Sequence, residues 1–321
     1  MKLKALAALG VSAALALTAC GGDAGNDDDY KIGIATIVAH PALDAVQEGF
    51  IEALAEAGYE EGVNIEFDRQ NAQGDQSTLT NIANTFGSSD YDGFLAVATP
   101  TAQALSNVIT DKPVVFAAVT DPVAAELVSS WEAPDANVTG VSDLNPMKEQ
   151  LELIQEALPE AATVGIIYTS SEVNSQVQFD EAEKAAAELG LEVVAATVTN
   201  SSEVQQAADS LDVDAYLIPT DNTVVSAAEA VIQVAETKQT PVFASDESTM
   251  ERGAAAGLSV NYTQQGRDAA AALLKMLEGT SAADIPVETQ KEFDLFVNTA
   301  AAEAQGLALP ESIVSRATKQ F

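Results

Sequence analysis

The 321-residue chain has one cysteine, one histidine and one tryptophan, and only four arginines among its 14 basic residues. A single cysteine excludes an intramolecular disulfide, and a single histidine excludes the histidine-rich metal sites. Against 14 basic residues stand 49 acidic ones, for a net charge of −35. Such a surface repels nucleic acid and anionic lipid headgroups, and it reads as a solvated coat suited to salty surroundings. Aromatic residues are 5% of the chain while hydrophobic residues are 47%, so small aliphatic side chains must fill the core. Neither Gly-x-Ser-x-Gly nor the phosphate-cradling GxxxxGK[ST] occurs. Carboxylates are so numerous that no pair of them marks a catalytic site. His40 with Asp44 one turn along is a base-and-orienter spacing, but a histidine before Pro41 reads rather as a turn or the wall of a ligand site. No enzyme activity, cofactor or metal is expected.

At the N-terminus, Met1-Lys2-Leu3-Lys4 precedes an apolar run over 5–16 that ends in Leu17-Thr18-Ala19-Cys20-Gly21-Gly22. A basic start followed by a short apolar stretch is a secretory signal, expected over 1–19. The run is shorter than the ~20 residues a membrane-spanning helix needs. Its closing residues resemble a bacterial lipobox, which implies cleavage before Cys20 and a lipid on that cysteine. Loss of 1–19 removes two lysines and leaves a charge of −37. Residues 20–30, small and acidic, read as a flexible tether holding the body to the outer face of the cell membrane.

Beyond the tether, apolar runs and helical periodicity alternate. Strand patterns fall at 31–36, 63–68, 93–98, 113–119 and 138–141, separated by helix patterns such as Leu43, Val46, Phe50 and Leu54. A short helix is expected near 123–129. Ser142-Asp143-Leu144-Asn145-Pro146 breaks the series, and after a helix at 147–158 it restarts with strands at 163–168, 191–198, 213–218, 241–244 and 255–260. Single helices are expected at 175–189, 202–211, 224–237 and 264–278. This is an internal repeat of βαβ units, predicting an α/β chain of two doubly wound parallel-sheet lobes joined by a multi-strand hinge. The expected lobes are 31–143 with about 264–286, and 144–263 with about 287–321.

Ligands of open α/β sheets bind beyond the carboxyl ends of the strands. The loops at those ends hold hydroxyls, amides and a few carboxylates, the chemistry that holds a small polar ligand. The candidate ligand-binding residues are His40, Pro41, Thr99, Pro100, Thr101, Gln103, Thr120, Asp121 and Asp143 from the first half, with Tyr168, Ser170, Ser171, Asn174, Ser175, Thr220, Asp221, Asn222 and Asp246 from the second. Helix starts in these loops favour a carboxylate, and an aspartate on the far wall, Asp221 above all, would answer an ammonium. Together they suit the zwitterionic end of an α-amino acid. Arg69, Arg252, Arg267 and Arg316 all lie outside these loops, which argues against strongly anionic ligands.

Ile37-Val38-Ala39-His40-Pro41-Ala42-Leu43-Asp44, Ala98-Thr99-Pro100-Thr101-Ala102-Gln103, Tyr168-Thr169-Ser170-Ser171-Glu172-Val173-Asn174-Ser175 and Pro219-Thr220-Asp221-Asn222 resemble the tryptophan/tyrosine-type family of ABC transporter substrate-binding lipoproteins. The resemblance runs through nearly all of the mature chain, with Ala39 where relatives often have an acidic residue. It implies a type I periplasmic-binding-protein fold, an ABC permease and ATPase as partners, and an aromatic or other hydrophobic amino acid as cargo. A monomer is expected. A sugar or nucleoside receptor of the same fold and a surface-anchored hydrolase are the alternatives, and a sensor partner is a further one.

Overall fold

A computed structural model describes residues 29–134 and 137–321. The expected signal peptide, the lipidation of Cys20 and all but the end of the tether lie outside the described residues. The first half runs β1 (Tyr30–Thr36), α1 (Pro41–Glu56), β2 (Ile65–Asn71), α2 (Gln76–Gly87), β3 (Gly93–Val97), α3 (Thr99–Ser106), β4 (Val114–Val119) and β5 (Val138–Ser142). The second begins α4 (Met147–Ala157), β6 (Thr163–Tyr168), α5 (Val173–Leu189), β7 (Glu192–Thr197), α6 (Val204–Ser210) and β8 (Ala215–Ile218). It continues with α7 (Asn222–Ser226), α8 (Ala228–Lys238), β9 (Val242–Ala244), α9 (Glu247–Arg252) and β10 (Ala256–Ser259). The chain closes with α10 (Tyr262–Leu277), β11 (Glu288–Thr289), β12 (Asp294–Val297), α11 (Thr299–Ala304), α12 (Glu311–Val314) and β13 (Lys319–Gln320).

Two sheets result, ordered β11-β5-β4-β3-β1-β2 and β13-β12-β10-β9-β8-β6-β7. The five strands that open each half take the same order, second, first, third, fourth, fifth, and all pair in parallel. That order places a topological switch point between β1 and β3 in one sheet and between β6 and β8 in the other, where the crevice of a doubly wound fold opens. Among the described residues the one antiparallel pairing is β12 against β10, and β13 runs parallel to β12 at the edge.

Aliphatic residues fill the interior as the composition requires. In β6, Val164, Ile166 and Tyr168 face a core under α4 and α5, while Ile167 faces another under α6 and α8, the alternation that a sheet covered on both sides imposes. In α1 the buried stripe Leu43, Val46, Phe50 and Leu54 includes Gly49, and there α10 crosses so closely that a Cβ on Gly49 would lie 2.1 Å from the Thr263 carbonyl oxygen. A Cβ on Gly266 would meet the Val46 oxygen at 2.0 Å. Thus α10, which follows the second sheet in sequence, packs on the first and brings its N-terminus to the junction.

The chain passes between the sheets three times, at 143–146, 260–261 and 290–293. Two of these crossings are tied together. The Asn261 N–H donates to Gln290 Oε1 at 2.7 Å, and Gln290 Nε2 returns a bond to the Asn261 carbonyl at 2.9 Å. Because β11 pairs with β5, residues 288–289 sit on the first sheet and not, as the expected boundary of about 287 had it, with the second.

Three elements differ from the expected pattern. Around 123–129 the chain makes turns instead of a helix, since the Asp121 carboxylate accepts from the N–H groups of Val123 and Ala124 and folds the backbone onto itself. The single helix expected at 224–237 breaks at Ala227 into α7 and α8. Helix α9 was not expected; it is short and begins on an aspartate cap at Asp246.

Candidate functional site

The carboxyl ends of the strands at both switch points face one cavity of about 670 Å³. Ile37 and Val38 follow β1, Gln73 and Gly74 follow β2, and Pro100, Gln103 and Ala104 lie on α3 after β3. Across from them, Thr169, Ser171 and Glu172 follow β6, Thr199, Asn200 and Ser201 follow β7, and Asn222, Thr223 and Ser226 follow β8. Equivalent positions of the repeat therefore supply the two walls. The first wall mixes aliphatic residues, Ile37, Val38, Ala83, Pro100, Ala104 and Val108, with the polar Gln73, Gln76, Thr80, Gln103 and Asn107, and the second is polar.

Deeper toward the crossings lies a narrow chamber of about 10 Å³, enough for one water-sized group. Its lining comes from both halves: His40, Ala118, Asp143 and Tyr262 from one, Asn174, Thr220, Asn222 and Asp246 from the other. Asn222 belongs to both spaces. Buried side-chain atoms without a hydrogen-bond partner gather here. They are His40 Nδ1, Asn174 Oδ1 and Thr220 Oγ1; Thr99 Oγ1, Thr101 Oγ1 and Ser106 Oγ, on α3, are unpartnered too but line neither space. A buried polar group left unpaired costs about 1–3 kcal/mol, so such a concentration marks a place built to meet a polar ligand.

Helix starts point the same way. Asp75, Asp221, Asp246 and Asn261 cap α2, α7, α9 and α10 through their side chains. No side chain caps α1, α3 or α5, the helices that follow β1, β3 and β6. Their first N–H groups are left to an anion or solvent. At Ala98, just before α3, φ is +77° and ψ 155°, a region essentially reserved for glycine, so the chain holds that turn under strain.

The carboxylates divide by how fully they are engaged. Asp221 was expected to meet an ammonium, but both its oxygens are taken, one by Thr169 N–H at 2.6 Å and Ser175 Oγ at 2.7 Å, the other by Val224 N–H at 2.8 Å and Thr169 Oγ1 at 3.2 Å. It stands behind the wall and fastens β6, α5 and α7 together. Asp246 likewise takes three donors from Ser248 and Thr249. Asp143 takes only two, Thr120 Oγ1 at 3.0 Å and Tyr262 O–H at 3.1 Å, one on each oxygen. Burial pushes its carboxyl up to about 6. Glu172 is pushed up to about 7, first by burial and then by the charge of Asp221. Burial holds His40 down at about 4, against the pull of Asp246.

The other candidates fall behind or outside this space. Tyr168 stacks on Phe179, with centroids 4.6 Å apart, in the core of the second lobe and does not reach the cavity. Pro41 and Ser170 are exposed and Asp121 closes its own loop. Thr120 holds Asp143, Ser175 holds Asp221, and Gln103 lines the cavity while donating to the Ala125 carbonyl. Glu172 and Tyr262 were not among the candidates. Glu172 had the sequence signal, a carboxylate in the loop after β6; Tyr262 had none, since it opens a helix after a crossing.

Residues 31–321 match the family of ABC transporter substrate binding proteins. The chain belongs to that family. This binding protein is 41% identical over 310 residues to a tyrosine-binding protein of Clostridioides difficile, covering 92% of this chain and 90% of the relative. It superposes with a TM-score of 0.88 on the structure of an ABC domain from Streptococcus pneumoniae in complex with L-Trp, at 33% identity over 92% of this chain and all of that one. On the ligand-free, open structure of a substrate-binding protein with adhesive properties from Clostridium difficile the TM-score is 0.69, at 39% identity over 91% of this chain and 99% of that one. The chain thus superposes better on the ligand-bound structure than on the ligand-free, open one, although its identity to the latter is higher. Among the described residues no helix is long and apolar enough to cross a membrane.

Proposed function

We propose that the binding protein captures an α-amino acid with an aromatic or other large hydrophobic side chain between its lobes and hands it unchanged to an ABC permease and its ATPase. The observation that carries the reading is the set of unpartnered buried atoms on His40, Asn174 and Thr220, drawn from both halves onto one chamber, with two more on Thr99 and Thr101 in the first turn of α3, the helix whose Pro100 lines the cavity. The ammonium enters the narrow chamber against Asp143 and the Asn174 carbonyl oxygen, where a water-sized group with three donors meets an excess of acceptors. The carboxylate lies at the uncapped start of α3, the turn that holds Thr99 and Thr101. The side chain takes the larger cavity against its aliphatic residues. Tyrosine and tryptophan, the ligands of the two relatives, fit this division of the site.

A receptor, and not a hydrolase, is favoured because His40 stays neutral and makes a poor base, and no side-chain hydrogen bond joins it to Asp44 among the described residues. Lipid attachment at Cys20 would keep the protein on the outer face of the membrane. A thermal-shift panel of amino acids, sugars and nucleosides tests the reading. Aromatic amino acids are expected to raise the midpoint and to be recovered intact; a rise with sugars or nucleosides alone, or turnover of the ligand, would sink it.

A further inference from the structure

Glu172 is the one carboxylate on the wall of the larger cavity, and nothing proposed above uses it. It occupies the N-cap position of α5 without capping the helix. Its Oε2 accepts from Asn222 Nδ2 at 2.6 Å and Asn174 Nδ2 at 3.1 Å, which fixes the carboxyl plane. Both side-chain donors among the described residues fall on that oxygen, and the Asn222 backbone N–H bonds to the carboxyl as well. No lysine or arginine lines the cavity, and Glu172 takes part in no ion pair among the described residues. Across the cavity stand aliphatic side chains together with Gln73, Gln76, Gln103 and Asn107, and among the described residues none of these four amides hydrogen-bonds to Glu172.

Resting on the aromatic amino acid reading, we infer that Glu172 is a specificity-determining residue whose Oε1 accepts a hydrogen bond from an O–H or N–H group on the ligand's aromatic side chain. A phenol or indole supplies that donor and a plain phenyl ring does not. With a phenyl ligand Oε1 gains no partner in place of the water it loses, and with an acidic side chain the carboxyl meets a like charge. The ammonium is the other donor to consider, but the narrow chamber at Asp143 fits it and leaves Glu172 to the side chain. Burial pressure on this carboxyl is in keeping with a group that lacks a partner until the ligand arrives.

Calorimetric titration of the intact mature protein with L-tyrosine, L-tryptophan, L-phenylalanine and O-methyl-L-tyrosine tests the inference. Wild type is expected to bind tyrosine and tryptophan roughly tenfold or more tighter than phenylalanine and the methyl ether. In Glu172→Gln the two asparagine amides claim the glutamine oxygen and turn its NH₂ toward the cavity. The advantage of tyrosine and tryptophan should then shrink to within about threefold, with phenylalanine binding little changed. Equal affinity of wild type for tyrosine, its methyl ether and phenylalanine would overturn the role, and this comparison needs no variant. A uniform loss of all four ligands in the variant would assign Glu172 to the ammonium instead and overturn it too. Failure of every aromatic amino acid to bind folded wild type would instead strike the reading of the cargo, and the role of Glu172 with it.

Discussion

Asp143 accepts one hydrogen bond on each oxygen and has lone pairs to spare, whereas Asp221 has none. Both read alike in the sequence, as aspartates in a loop after a strand. What separates them is donors such as Thr169 and Ser175, which the fold delivers from some fifty positions away, and no local pattern encodes that delivery. The small polar residues that line the chamber, His40, Asn174, Thr220 and Asn222, were legible because a strand end followed by such residues has few other uses in this fold. Asp143→Asn keeps the shape and removes the charge, so ligand affinity should fall by about a hundredfold while the thermal midpoint without ligand stays level or rises. Acid should act in two directions. Asp143 and Glu172 have ordinary values of 3.8 and 4.5 but titrate at about 6 and about 7 in the folded chain, so the stability they contribute is fully present below the ordinary values and lost as pH rises through 6 and 7. His40, held at about 4 against an ordinary 6.5, contributes stability above 6.5 that is lost as pH falls toward 4. Between about pH 8 and pH 7 the carboxyls outweigh His40, and melting curves of the ligand-free protein should shift upward on acidification across that window. Ligand affinity should move the other way and weaken below about pH 6, because a bound ammonium needs Asp143 charged. An affinity that strengthens with acid would count against Asp143 as its partner.

At the scale of elements, the repeat of apolar runs gave the strands and most helices directly, since a strand buried on both faces leaves an unbroken aliphatic signature. Limits were lost where a side chain competes with the backbone, as at Asp121, or where a helix bends within its apolar stripe, as at Ala227. The strain at Ala98 was invisible for the same reason: nothing in an alanine announces a φ of +77°. The turn is held because the Ala98 N–H bonds to the Ala117 carbonyl and the Ala98 carbonyl takes the Ala102 N–H, both at 3.0 Å. Ala98→Gly should raise the unfolding free energy by about 1 kcal/mol in denaturant melts and weaken ligand binding several-fold, as the first turn of α3 is no longer fixed. Where α1 and α10 cross, backbone faces backbone. Gly266→Ala must push the helices apart, with an expected loss of about 1–3 kcal/mol, and must weaken binding as well because α10 carries Tyr262 to Asp143. A variant as stable as wild type would show that the crossing is looser than it stands here.

The whole molecule is two copies of one switch point turned face to face across three crossings, two of them tied at Asn261 and Gln290, an arrangement suited to closing by hinge motion. His40 and Asp143 of one lobe line the chamber together with Asn174, Thr220 and Asp246 of the other, so opening of the hinge is expected to take it apart. A ligand that fills it should lower the radius of gyration measured by X-ray scattering, and a ligand that leaves it unchanged would not be the cargo. If Cys20 carries the anchor, Cys20→Ala should move the protein from the membrane fraction to the soluble one. The claim beneath all of this is that the cleft grips both ends of a zwitterion at once. Titrating the tightest-binding aromatic amino acid beside its decarboxylated amine and its deaminated acid tests that claim most directly. Both analogues should bind at least about a hundredfold more weakly, since each leaves one buried set of partners unanswered. Either analogue binding as tightly as the amino acid would contradict the account.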